Sequence, residues 1–260
     1  MDNILVFGGT TEGRILARRL EESGCKVMVC VATEYGRETL REMEDIQVHT
    51  GRMDGKEMAD FFLKNQIGLV IDATHPYARE VTRQIEWACR ETQIPKIRCQ
   101  RPEEMISEDE KKVLEPWMVH VSSAEEAAEW LMHKKGRIFL TTGSKELAAF
   151  TRIPDYKNRI YARVLPLPSV LEACGKIGLK GRHVIGAQGP FSEQMNLAMI
   201  QEYDCQFLVT KDGGKEGGFL EKLKAAAAAG IPALVIDRPE EETGMSVEEV
   251  MTWYERRNQK

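Results

Sequence analysis

A short apolar run ends at Phe7 and gives way to Gly8-Gly9-Thr10-Thr11-Glu12-Gly13-Arg14 before helical periodicity begins. Small residues there let backbone N–H groups and a helix N-terminus approach a pyrophosphate, which is dinucleotide chemistry. The spacing departs from G-x-G-x-x-G, and Thr10 and Thr11 add hydroxyls. A tight strand-to-helix turn with a threonine cap is the plainer alternative. After the second apolar run, Ala32-Thr33-Glu34-Tyr35-Gly36 stands where nucleotide-binding folds read the ribose. Glu34 suits the hydroxyl of NADH, and Thr33 with Arg37 suits the phosphate of NADPH, so the choice stays open. In His49-Thr50-Gly51-Arg52-Met53-Asp54, Gly51 permits a close turn and Asp54 can cap a helix, leaving Arg52 free to face a cleft or to stand as a surface arginine with no ligand.

A titratable ring, a rigid proline and a phenol cluster in Ala73-Thr74-His75-Pro76-Tyr77-Ala78, just past a fourth apolar run. In doubly wound folds the nicotinamide ring commonly lies at such a strand end. Thr74, His75, Pro76 and Tyr77 are therefore expected to line it, with His75 a candidate proton donor and Tyr77 a candidate hydrogen-bond donor. A histidine standing alone is more often structural. In the second half, three further turns place Gly and hydroxyl residues before a helix: Thr141-Thr142-Gly143-Ser144-Lys145, Gly186-Ala187-Gln188-Gly189-Pro190-Phe191-Ser192, and Thr210-Lys211-Asp212-Gly213-Gly214-Lys215-Glu216-Gly217-Gly218. None is a Walker A loop. Each suits carboxylate or phosphate, and the three facing one cleft imply a polyanionic substrate. Singly, each is as readily a plain capped turn.

These turns need elements to hold them. The apolar runs alternate with amphipathic stretches, which is how a parallel sheet with crossover helices reads. Strands are expected at 4–7, 26–31, 47–49, 69–72 and 96–98, with helices beginning near Glu12, Gly36, Gly55 and Tyr77. The charged segment 102–116 lacks apolar periodicity and reads as a loop or linker. A second series follows, with strands at 118–121, 137–140, 159–164, 183–185, 207–209 and 233–236 and helices near Glu125, Lys145, Ser192 and Glu216. Ala225 to Ala229 fits a helix ended by Gly230.

At 260 residues the chain can form two compact domains, and 42% hydrophobic residues supports a sizeable core. A net charge of -5 argues against the basic surface of a nucleic-acid binder. The six cysteines form no C-x-x-C pair and read as reduced core residues. No signal peptide opens the chain and no apolar run is long enough to span a membrane, so a cytoplasmic protein is expected. The five histidines lack ligand spacing, and no metal site is expected.

Seven motifs, in order, carry a resemblance: VFGGTTEGR from Val6, TGR from Thr50, DATHPYA from Asp72, TTGSKEL from Thr141, ARVLP from Ala162, GAQGPFS from Gly186 and TKDGGKEGG from Thr210. Through them the chain resembles the precorrin-6A and cobalt-precorrin-6A reductase family of cobalamin biosynthesis. The resemblance implies an α/β chain of two Rossmann-like domains with mainly parallel sheets and the active site in the cleft between them. A nucleotide-binding domain would span 1–115 and a macrocycle-binding one 116–260, the boundary being loose because the domains could exchange a strand. The reaction implied is hydride transfer from NADPH or NADH to a macrocycle double bond of precorrin-6A or cobalt-precorrin-6A, giving the 6B form.

The nucleotide would then lie on Gly8, Gly9, Thr10, Thr11, Glu12, Thr33, Arg52 and the loop of Thr74, His75, Pro76 and Tyr77. The tetrapyrrole substrate, rich in carboxylates, would lie on Gly143, Ser144, Lys145, Arg163, Gln188, Gly189, Pro190, Phe191, Lys211, Asp212 and Lys215, with Lys145, Arg163, Lys211 and Lys215 pairing its carboxylates. Any cobalt would belong to the substrate, and transient contact with neighbouring pathway enzymes is allowed. Two other readings compete. A short-chain dehydrogenase needs Tyr-x-x-x-Lys, and Tyr77 is followed at that spacing by Val81. A nucleotide-sensing regulatory module would leave the second half's turns without a purpose.

Overall fold

The computed structural model describes residues 3–41, 43, 46–100, 106–214, 217–238 and 244–258. They fall into two compact units, Met1–Pro102 with Pro239–Lys260, and Glu103–Arg238. The first runs β1 (Asn3–Phe7), α1 (Thr11–Glu22), β2 (Lys26–Val31), α2 (Glu34–Glu38), β3 (Gln47–Thr50), α3 (Gly55–Lys64), β4 (Ile67–Asp72), α4 (Arg79–Thr92) and β5 (Lys96–Arg98). Its sheet has the order β3-β2-β1-β4-β5, every pair parallel. In such a sheet the strand order reverses between β1 and β4, and the crevice beyond their carboxyl ends is where ligands bind. The central strands are apolar on both faces because helices cover both. Ile4, Val6, Leu69 and Ile71 enter one core, and Leu5, Phe7 and Val70 enter the other.

The second unit holds α5 (Glu108–Leu114), β6 (Met118–Val121), α6 (Ala124–Met132), β7 (Arg137–Leu140), α7 (Tyr156–Arg159), β8 (Ile160–Val164), α8 (Pro168–Lys176), β9 (Val184–Gly186), α9 (Glu193–Glu202), β10 (Cys205–Lys211), α10 (Phe219–Ala229) and β11 (Ala233–Ile236). Its sheet is β6-β11-β10-β7-β8-β9, again wholly parallel, and its order reverses between β7 and β10. All eleven expected strands are present, with ends shifted by no more than two residues.

Three features differ from the sequence reading. The segment taken as a linker contains α5, whose Ser107–Glu110 capping box and Lys224–Glu110 ion pair of 2.7 Å supply what apolar periodicity did not. The helix expected near Lys145 is a 3-10 turn, Leu147–Arg152. The chain's last helix, α11 (Val247–Asn258), packs on the first unit although it follows the second in sequence. Val250, Met251 and Tyr254 enter the core beside Leu16 and Leu20, and Glu248 pairs with Arg19. By contact α11 groups with the first unit, which also gains Met245 from the far end of the chain, bridged in parallel to Cys99 and hydrogen-bonded through the backbone to Arg98 and Gln100. The six cysteines are unpaired and buried. Among the described residues no helix is long and apolar enough to cross a membrane.

Candidate functional site

The turn between β1 and α1 is built for close approach. A Cβ added to Gly13 would meet the Gly8 Cα at 3.2 Å and the Ala73 Cβ at 3.3 Å, so a side chain there would press the helix away from the strand ends. Gly9 has φ +112° and nothing within 4 Å of where its Cβ would lie, so its outer face is open. Thr10 caps α1, accepting from the Gly13 N–H at 3.1 Å, and donates its hydroxyl to the Ala73 carbonyl at 2.8 Å. Among the described residues, the backbone N–H groups of Gly9, Thr10 and Thr11 have no protein acceptor. Three consecutive donors at the N-terminus of a twelve-residue helix suit the pyrophosphate of a dinucleotide. The residues present therefore fit the group. Glu12 stands in the first turn of the same helix.

Across the switch point, the loop after β4 is anchored from below. Asp72 is fully buried, and its Oδ1 accepts from Arg98 Nη1 at 2.7 Å, from the Thr74 hydroxyl at 2.7 Å and from the Thr74 N–H at 3.0 Å. Arg98 Nη1 also reaches Thr74 Oγ1 at 3.1 Å. Thr74 is thus a buried anchor, while His75 is exposed and Pro76 and Tyr77 are half-buried. His75 Nδ1 accepts from the Tyr77 N–H at 3.3 Å, which leaves Nε2 to carry the ring proton of the neutral form, and the two rings lie 5.5 Å apart. Sequence reasoning had no signal for the Asp72–Arg98 pair beyond an Asp at one strand end and an Arg at another. Thr33 is exposed and spends its oxygen on capping α2 at Gly36 N, and Arg52 is exposed after β3.

The second sheet repeats the arrangement at β7 and β10. Thr141 donates its N–H and its hydroxyl to Val209 O, both at 2.9 Å, which joins the two strand ends. Gly143 has φ +83°, and among the described residues the N–H groups of Gly143, Ser144 and Lys145 have no protein acceptor. Lys145 is exposed. Lys211 instead lies against Glu146, Nζ to Oε1 2.6 Å, and Asp212 pairs with Arg238 at 3.3 Å. Both were expected to face substrate, and each is engaged by a neighbour that sequence reasoning did not single out. Lys215 lies outside the described residues.

From the loop after β9, Gln188, Gly189 and Pro190 are exposed, with a cis peptide bond between Gly189 and Pro190, and Phe191 is half-buried. The Arg163 guanidinium lies 4.1 Å from the Phe191 ring centroid. Arg163 is itself buried, and desolvation lowers its pKa to about 10. The structure thus brings the nucleotide candidates Gly8 to Thr11 and Thr74 to Tyr77 together at one switch point and most of the substrate candidates together at the other.

Comparison with known proteins shows the family and the fold. A cobalt-precorrin-6A reductase of Priestia megaterium is 36% identical over 93% of this chain and 92% of that protein. One from Salmonella typhimurium is 33% identical over 91% and 88%. The solved structure of CobK precorrin-6A reductase shares the fold, with a TM-score of 0.76 at 24% identity over 98% of this chain and 97% of that one. The family model for precorrin-6x reductase CbiJ/CobK matches residues 3–255, and the chain belongs to that family.

Proposed function

We propose that this reductase acts on cobalt-precorrin-6A, reducing one double bond of the macrocycle with hydride from NADPH or NADH to give the 6B form. The observation that carries the reading is the turn at Gly9 to Thr11, three outward N–H donors beside the His75–Tyr77 loop at the switch point of a Rossmann-ordered sheet. A nicotinamide nucleotide bound there supplies the hydride. The cobalt form is favoured because the two relatives described above carry it in their names.

In this reading Gly8 to Glu12 hold the pyrophosphate, Thr33 and Arg52 reach the adenosine side, and Thr74 to Tyr77 line the nicotinamide. His75, protonated at Nε2, and Tyr77 are the groups placed to donate a proton or a hydrogen bond at the ring. The turn at Gly143 to Lys145 and the loop at Gln188 to Phe191 receive the substrate's carboxylates, with Arg163, Lys211 and Lys215 as cations. Positioning supplies most of the rate, since hydride transfer needs the two carbons held in one geometry with water excluded. Six unpaired cysteines fit a reducing compartment, hence a cytoplasmic enzyme that meets its pathway neighbours transiently.

The test is an anaerobic assay with precorrin-6A and cobalt-precorrin-6A, each offered with NADH or NADPH, following nucleotide oxidation and the macrocycle spectrum together. Turnover with cobalt-precorrin-6A is expected. Turnover with precorrin-6A alone would reverse the metal assignment, and nucleotide binding without reduction of either ring would leave a sensing module.

A further inference from the structure

Among the described residues, two cations are buried in the second unit with no carboxylate ion-paired to either. Arg163 on β8 is 7% exposed and Lys222 on α10 is 8% exposed. Arg163 donates Nη1 to Asn196 Oδ1 at 2.8 Å and to the Met199 sulfur at 3.6 Å. Its Nε and Nη2 have no protein partner among the described residues, and neither is sealed from solvent. That free edge is the one that grips a carboxylate with two parallel hydrogen bonds. Asn196, 1% exposed, donates Nδ2 to Phe191 O at 3.2 Å and Ser192 O at 2.8 Å, which aims its Oδ1 at the guanidinium. Lys222 donates to Gly217 O at 2.7 Å, leaving two of its three N–H bonds without a protein acceptor.

The two cations belong to one locality. A Cβ on Gly218 would stand 3.5 Å from Pro190 Cβ and 3.6 Å from both Phe191 O and Glu221 Oε2, so the loops after β9 and β10 meet where α10 begins, beside a buried carboxylate oxygen that has no hydrogen-bond partner. Arg163 is near enough to oppose the charge on Lys222, burial and that repulsion lower the lysine's pKa to about 7, and only Glu221 acts the other way. The packing asks for no charge at this place, because Phe219, Leu223 and Ala226 share the stripe of α10 that carries Lys222 and are apolar. Two buried cations whose one neighbouring carboxylate, Glu221, makes no ion pair with either cost stability that apolar residues of like volume would not.

We infer that Lys222 and Arg163 form a two-cation seat for one carboxylate of the macrocycle, with Asn196 and Phe191 holding the guanidinium in place. The inference rests on the macrocycle reading above and adds to it a specificity-determining lysine. A seat of this kind should help binding and harm the free fold, the opposite of what a structural residue does.

The experiment compares wild type, Lys222→Met, Arg163→Met and the double variant for steady-state turnover of cobalt-precorrin-6A and for melting temperature without ligand. Lys222→Met should raise the macrocycle KM roughly tenfold to a hundredfold, the range of a lost hydrogen bond to a charged group. The nucleotide KM should hold and the melting temperature should rise. The double variant should lose less than the product of the single losses, since both cations serve one carboxylate. An unchanged macrocycle KM, a falling melting temperature with a risen nucleotide KM, or strictly multiplicative losses would each overturn the seat. Wild type that turns over neither macrocycle form would overturn the macrocycle reading, and the seat with it.

Discussion

Thr10 donates its hydroxyl to the backbone oxygen of Ala73 at 2.8 Å while accepting from the Gly13 N–H at 3.1 Å, so one side chain joins the ends of β1 and β4 and caps α1. Thr10→Val keeps the volume and loses both bonds. It should cost about 1–2 kcal/mol of stability and weaken nucleotide binding, because the three outward N–H groups lose their fixed direction. Thr10→Ser should restore most of both. Urea unfolding with nucleotide titration checks this, and a Val variant that binds as tightly as wild type would refute the link.

Asp72 and Arg98 form a buried pair beneath the loop at Thr74. Asp72→Ala strands a buried guanidinium and should destabilise by about 3–5 kcal/mol. Hydrogen exchange at residues 73–78 should quicken ahead of the sheet. A loss below about 1 kcal/mol would mean that the pair is solvated and anchors nothing.

A substrate carboxylate at Lys211 shares the ammonium with Glu146, whose Oε2 is buried with no hydrogen-bond partner. Glu146→Gln removes the competitor and keeps the shape. The macrocycle KM should fall several-fold, by roughly the worth of one partly screened ion pair. A rise instead would assign Glu146 to holding the β10 loop for substrate.

Lys222 titrates near 7 in the fold and near its ordinary 10.5 when unfolded. Between those values the unfolded chain binds the extra proton, so this residue's contribution to stability grows as pH rises from about 7 towards 10, and its full penalty applies below 7. The melting-temperature gap between Lys222→Met and wild type should therefore be widest near neutral pH and close on the alkaline side. Calorimetry across that range checks it, and parallel curves would show that Lys222 is solvated.

Much of the architecture could be read from local pattern. Apolar runs of four to six residues marked the strands because parallel strands covered on both faces carry no polar alternation. Gly8 and Gly13 marked the first turn because close approach leaves little space for a side chain, and Gly9 because its φ of +112° is one that other residues rarely adopt. Lys222 was the missed signal that the sequence did contain: it stands three residues after Phe219 and one before Leu223, a lysine set into the apolar face of a helix. It went unnoticed because lysines on amphipathic helices usually face water.

The sequence by itself determined the two alternating series, the turns at the strand ends and the seven ordered motifs, all of which depend on neighbours close in the chain. Only the tertiary structure decided which distant groups meet. It returned α11 to the first unit, set Glu146 against Lys211 and Arg238 against Asp212, paired Asp72 with Arg98, and buried Arg163 and Lys222 without ion-pair partners among the described residues. The physical reason is that a charge's partner is set by distance through space and by the loss of water around it, and neither is encoded in spacing along the chain.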